Sequence, residues 1–178
     1  MKFRKLLTAL LLAAGVVFVA GWKQIDSPSE VVKKFFAAGK KMDFDTIAKL
    51  SYGKRKKEAR AHAANMKEMI RGLEQAARHG NEDAKKLLKR YKQGGYIALL
   101  EAGAENGDAE AKKMSDGLKS WNMEIKGETI DGDYAVVEGI VSGGPDGEGR
   151  QKKFYLKKVG GEWKMIDDDE YERERSAR

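Results

Sequence analysis

No cysteine occurs among the 178 residues. That excludes a disulfide framework, a thiolate metal site, a cysteine nucleophile and a lipid carried on an N-terminal cysteine. Histidine is nearly as scarce, with two in the chain. His62 and His79 fall near opposite ends of one predicted helix, too far apart to share a metal ion. His79 precedes Gly80 at a helix C-terminus, where a cationic side chain favours the macrodipole. No metal and no cofactor are expected.

A one-sided charge is also missing. The formal net charge is +7, and setting aside Lys2, Arg4 and Lys5 leaves +4. Elsewhere Lys and Arg alternate with Asp and Glu, as on solvated helix faces. A nucleic-acid binder would gather its cations on one face, so no nucleic-acid partner is expected. The one dense block, Lys54-Arg55-Lys56-Lys57 with Arg60, reads as a solvated helix start.

The N-terminus has a recognisable grammar. A basic start, Met1 to Lys5, precedes an apolar run from Leu6 to Trp22, closed by the small residues Ala20 and Gly21. This reads as a secretory signal over residues 1–21. The run is short of the roughly 20 residues that span a hydrocarbon core. An uncleaved anchor is the alternative, and it is the only expected membrane contact. Either reading puts the rest of the chain in the periplasm or outside the cell, freely or anchored to the inner membrane. Residues 22–167 then suit one domain.

From Ser27 to about Lys119 the pattern is helical. Ser27-Pro28-Ser29-Glu30 is a capping box with Pro at the first helical position, and Glu30 can reach back to the cap. Val31, Val32, Phe35 and Phe36 form the apolar stripe behind it. Asp43 caps a second helix, Phe44 to Leu50. A long helix is predicted from Lys54 to His79, its stripe running through Ala59, Ala63, Met66, Met69, Ile70, Leu73, Ala76 and Ala77. The segment 81–119 predicts three short helices. Within it, Ala77 to Leu87 recurs approximately as Ala104 to Met114, each copy stopping at Gly and restarting from an Asn or Asp cap. This resembles the turn of Sel1-like repeats, although two copies are too few for a solenoid. Shared capping chemistry at two antiparallel connections is the plainer reading.

Four strands are predicted from Trp121 to Asp167, so helices are followed by an antiparallel sheet in an α+β domain. Asp131-Gly132 and Gly160-Gly161 are two-residue hairpin signals. In the second strand Ala135, Val137, Gly139 and Val141 share one face and Tyr134, Val136, Glu138 and Ile140 the other. In the third, Phe154, Leu156 and Lys158 oppose Lys153, Tyr155 and Lys157. Ser142 to Gly149 joins two strands, which makes it a hairpin loop and no phosphate cradle. Asp167-Asp168-Asp169-Glu170 lacks the spacing of a calcium loop and reads as a solvated exit from the sheet. The charged tail 168–178 is expected to be a frayed helix or disordered.

The order Ser27-Pro28-Ser29-Glu30-Val31-Val32 with Phe35-Phe36, then Asp43-Phe44-Asp45, Gly132 to Val137 and Gly161-Glu162-Trp163-Lys164-Met165 resembles the nuclear-transport-factor-2-like superfamily. The likeness is to a branch of bacterial secreted proteins and lipoproteins of unknown function. It touches about residues 27–60 and 121–167; the segment 81–119 is longer than that fold needs, and the branch's lipid-bearing cysteine is absent. The resemblance implies a curved four-stranded sheet wrapped around helices as a cone with an apolar pocket. Tyr134, Phe154, Tyr155 and Trp163 are the pocket candidates, with core packing as their other reading.

No catalytic residue is assigned. The expected function is a non-enzymatic periplasmic domain binding a small apolar ligand or an envelope protein. Two alternatives stay open. One is a small-molecule isomerase or hydro-lyase in the same cone, with Tyr134, Glu138, Tyr155 and Lys164 as its polar candidates. The other is an interaction module built on 81–119.

Overall fold

The structure, a computed structural model, describes residues 25–144 and 149–177. The signal-like run 1–21 and Pro145, Asp146 and Gly147 of the glycine-rich loop lie outside the described residues.

Helix α1 spans Pro28–Lys40 and starts as its cap predicts, Ser27 accepting a hydrogen bond from the Glu30 amide at 3.3 Å. The reciprocal half of the box is not made, because the Glu30 carboxylate takes Lys33 at 2.7 Å instead. Helix α2 is Phe44–Leu50, and its Asp43 cap accepts from both the amide and the hydroxyl of Thr46. Helix α3, Gly53–Arg78, is followed by α4, Glu82–Glu105, and α5, Ala109–Ser120. Gly95 leaves helical geometry inside α4, so this helix and α5 supply the three helical segments expected. Among the described residues no helix is long and apolar enough to cross a membrane.

The recurring Gly-(Asn/Asp) sequence is one corner used repeatedly. At His79-Gly80-Asn81 the Asn81 amide donates back to Ala76 O at 3.1 Å and that of Gly80 to Ala77 O at 3.2 Å. The Asn81 side chain meanwhile accepts from Asp83 N and Ala84 N, capping α4. Asn106-Gly107-Asp108 repeats the arrangement: Asp108 N reaches Gly103 O, and the Asp108 carboxylate caps α5. In each corner the residue that closes one helix opens the next. A third copy, hidden from the sequence, joins α1 to α2. There Asp43 N donates to Ala38 O at 2.9 Å, and Met42 at φ 53 occupies the left-handed position held elsewhere by Gly.

Strands β1 (Asn122–Asp131), β2 (Tyr134–Ser142), β3 (Arg150–Val159) and β4 (Glu162–Ile166) form one open, curved antiparallel sheet in the order 1-2-3-4. The first hairpin turns one residue later than expected. Asp131 pairs with Tyr134, leaving Gly132-Asp133 as the loop with positive φ at Gly132 alone, the requirement of a type II′ turn. The β3–β4 turn at Gly160-Gly161 is as read from the sequence.

Strand alternation sorts the sheet's two faces as the sequence pattern predicts. Val31 and Val32 of α1 pack on Ala135, Val137, Leu156, Trp163 and Met165, with Phe35, Leu50, Met123, Ile125 and Phe154 around them. Leu156, fully buried, lies between Ala135 and Met165 in register. The stripe on α3 is buried only at Ala59 and Ala63; Met69 is exposed. Beyond Ala63 the stripe is half-buried at Met66, Ile70, Leu73, Ala76 and Ala77.

The tail departs from expectation. Asp168–Ser176 is a helix, α6, docked on the second face of the sheet. Tyr171 is 7% exposed and sits with Tyr134, Ile166, Tyr52, Val136 and Tyr155. A single aromatic in a charged helix carries too little periodicity to announce a buried face.

Candidate functional site

The strand pairing decides where the four aromatic candidates go, and it separates them. Tyr134 and Tyr155 lie on the α6 face. Phe154 and Trp163 lie on the face that α1 covers. Tyr134 and Trp163 thus lie on opposite faces of the sheet and cannot share a hollow with both Phe154 and Tyr155, and their cause of burial differs. Trp163 is core packing under α1. Tyr134 is 4% exposed because Tyr171 meets it edge-on at 5.8 Å. Tyr155 is tilted against Tyr171 at 4.6 Å.

Phe154 and Tyr155, consecutive in β3, do meet in a groove of about 560 Å³. Strand lengths create it. β4 pairs with β3 only from Val159 to Tyr155 and then ends, so among the described residues no strand lies on the β4 side of Arg150–Phe154. The hollow lies along that free edge. Its floor is Val32, Phe35, Phe36, Trp121, Val141, Phe154 and Met165, and its rim is Arg55, Gln151, Lys152, Lys153 and Asp168. Trp121, at the join of α5 and β1, is held by Phe36 at 4.3 Å between ring centroids. Phe35 lies under the Arg55 guanidinium at 5.6 Å. Phe35, Arg55 and Trp121 are the site residues that sequence reasoning missed as a set; only the shortness of β4 brings them to one hollow.

The polar candidates do not converge. Glu138 is exposed and paired with Lys153 at 3.3 Å. Lys164 donates to Lys49 O at 2.9 Å and to Glu162 at 2.8 Å. The Tyr134 hydroxyl donates to Glu174 of α6, which also accepts from Lys157 at 2.7 Å. His62 stacks on Phe44 at 5.1 Å, and His79 is the C-terminal cap of α3. Among the described residues no cluster of acids and histidines has a metal-holding arrangement.

The Tyr134–Glu174–Lys157 group works as a latch for α6. The Lys157 ammonium first, and the Tyr134 hydroxyl second, hold the Glu174 carboxyl below its ordinary 4.5. The Glu174 hydrogen bond raises Lys157 above its ordinary 10.5. A depressed carboxylate stabilises the fold above its unfolded value and stops doing so as pH falls through the folded one. A raised lysine stabilises below its unfolded value and stops as pH rises through the folded one. Glu174→Gln is therefore expected to cost about 1 kcal/mol near neutral pH, since the pair is partly solvated. In urea unfolding the gap from the parent protein should close as pH falls from 4.5 through the lowered value of Glu174, and again as it rises from 10.5 through the raised value of Lys157. A gap that is constant across pH would show that no ionic latch exists.

The dense basic block and the acidic run find each other. Arg55 of α3 pairs with Asp167 at 2.8 Å. The Glu170 carboxylate lies over Gly53, so close that a Cβ there would overlap both its oxygens. Asp167 and Glu170 are thus a counter-charge to the start of α3, where unpaired amides and cations otherwise gather. Asp168 and Asp169 stay exposed, as expected of a solvated exit.

Comparison of the chain with protein-family models, curated proteins and solved structures finds no match.

Proposed function

We propose that the chain is an exported binding domain of the nuclear-transport-factor-2-like kind, and that the groove between α1 and the free part of β3 is its binding site. One observation carries the reading: an open hollow of about 560 Å³ with seven apolar residues as its floor and cations on its rim. Its volume falls in the roughly 300–1,000 Å³ range of ligand sites. Of the four candidate acid–base groups Tyr155 borders the groove, while Tyr134, Glu138 and Lys164 are engaged elsewhere; no acid–base pair is assembled there, which favours binding over catalysis. The basic start and apolar run of residues 1–22 support export, so the apolar ligand or partner would be met in the envelope.

The groove is tested with 1-anilinonaphthalene-8-sulfonate. Its fluorescence should rise on adding the folded protein. Phe35→Glu, which puts a carboxylate into the apolar floor, should abolish the rise while far- and near-ultraviolet circular dichroism stay native. An undiminished signal from the folded variant, or none from the parent, removes the groove as the site.

A further inference from the structure

The groove borders a feature that a small-molecule site does not need, an unpaired length of strand. We propose that the β4 side of Arg150–Phe154 is a strand-addition site for an extended, acidic and apolar peptide of a partner protein. This inference rests on the groove being a binding site and names its occupant.

Backbone valence is the first argument. β3 is a ten-residue strand and β4 a five-residue one. The partner strand stops at Ile166, opposite Tyr155, and the chain turns away into α6. Five residues of β3, about 17 Å at ~3.4 Å per residue, have no strand paired on that edge among the described residues. Edges of this kind recruit extended chains through main-chain hydrogen bonds, with side-chain hollows supplying selectivity. The hollow includes the consecutive residues Gln151, Lys152, Lys153, Phe154 and Tyr155, whose side chains alternate between the two faces. It therefore surrounds the edge itself. The opposite edge of the sheet, β1, is interrupted by a bulge between Ile125 and Gly127, a usual guard against pairing.

Charge supplies the second argument. Arg150 and Lys152 project to the same face as Phe154 and Leu156, and Lys152 lines the groove. Among the described residues neither makes an ion pair, whereas their neighbour Lys153 is taken by Glu138. An incoming strand with acidic residues toward Arg150 and apolar ones toward Phe154 would meet complementary surface along its length. A second copy pairing through this edge would instead bring like charges together. The stretch 1–24 has the wrong sign as an occupant, with Lys2, Arg4, Lys5 and Lys23 and no acid.

The test uses three fluorescein-labelled synthetic peptides of sequence Glu-Val-Glu-Val-Phe-Val-Phe. One is unmodified, and the other two carry methyl groups on alternate backbone nitrogens in the two opposite phases, so that in one of them the hydrogen bonds to the edge cannot form. Fluorescence polarisation should show saturable binding of the unmodified peptide, and at least about tenfold weaker binding of one methylated phase. Lys152→Glu should weaken the unmodified peptide by about tenfold as well, with native circular dichroism. Equal binding of all peptides overturns strand addition and leaves an apolar groove. Loss of peptide binding with the anilinonaphthalene signal intact also overturns it, without touching the proposed function. A dimer by light scattering that dissociates on Lys152→Glu would assign the edge to a second copy and overturn the proposal.

Discussion

Replacing Tyr171 by alanine is expected to destabilise the protein by about 3 kcal/mol, as loss of a buried aromatic does. For a domain of this size that lowers Tm by about 6–12 °C. Tyr171 is the buried residue of α6, and its ring contacts those of Tyr134 and Tyr155. The other ties of α6 are polar: Glu174 to Lys157, and Arg175 to Asp131 at 2.6 Å. Pairs this exposed are worth little alone, so the helix should undock and leave Tyr134 and Tyr155 facing water. Thermal unfolding gives the first measure. The second is trypsin cleavage after Arg173, expected to accelerate in the variant under native conditions. An unchanged Tm with unchanged cleavage would show that α6 is not held by this residue.

Gly53→Ala is expected to cost about 2–3 kcal/mol, from two sources that can be separated. Gly53 has φ 57, where a Cβ costs about 1–2 kcal/mol. The same Cβ would displace the Glu170 carboxylate from the start of α3, forfeiting up to about 1 kcal/mol of charge–dipole attraction. Glu170 is long and can swing aside, so the clash relaxes and the lost attraction is what persists. Urea denaturation of Gly53→Ala, Glu170→Ala and the double variant closes a cycle. In the Glu170→Ala background the glycine substitution should cost only its backbone share. If the two costs simply add, Glu170 and the helix start are uncoupled.

Both predictions concern contacts that the sequence carries weakly. Where periodicity is sustained, as in β2 with Ala135, Val137 and Gly139 inward, the pattern alone assigns the faces correctly. The α2 bounds and the cap at Asp43 also follow from residue types with a single favourable geometry. The third corner escaped notice because Met42, not Gly, takes the left-handed position; its geometry is imposed by the helices on either side. Strand alternation already implies that Phe154 and Tyr155 oppose each other, which limits how many of the four aromatics one pocket could hold. What no local pattern expresses is that Tyr134 and Tyr155 would be covered by a mainly charged helix. Nor does it show that β4 ends five residues short of its neighbour, the mismatch that opens the groove.

The strand order 1-2-3-4 has a kinetic meaning. Each strand pairs with its predecessor in the chain, and α3, α4 and α5 likewise stack on sequence neighbours. Nearly all of the structure can thus assemble from nearby segments, the regime in which chain entropy slows folding least. The long closures include Val31 and Val32 onto Ala135 and Val137, the parallel bridge from Ser51 to Met165, and the pairing of Arg55 with Asp167. On topology, the passage of the N-terminal helices onto the meander is the step expected to set the rate, and substitutions at Val32 should slow folding more than substitutions in the hairpins, as stopped-flow refolding would read.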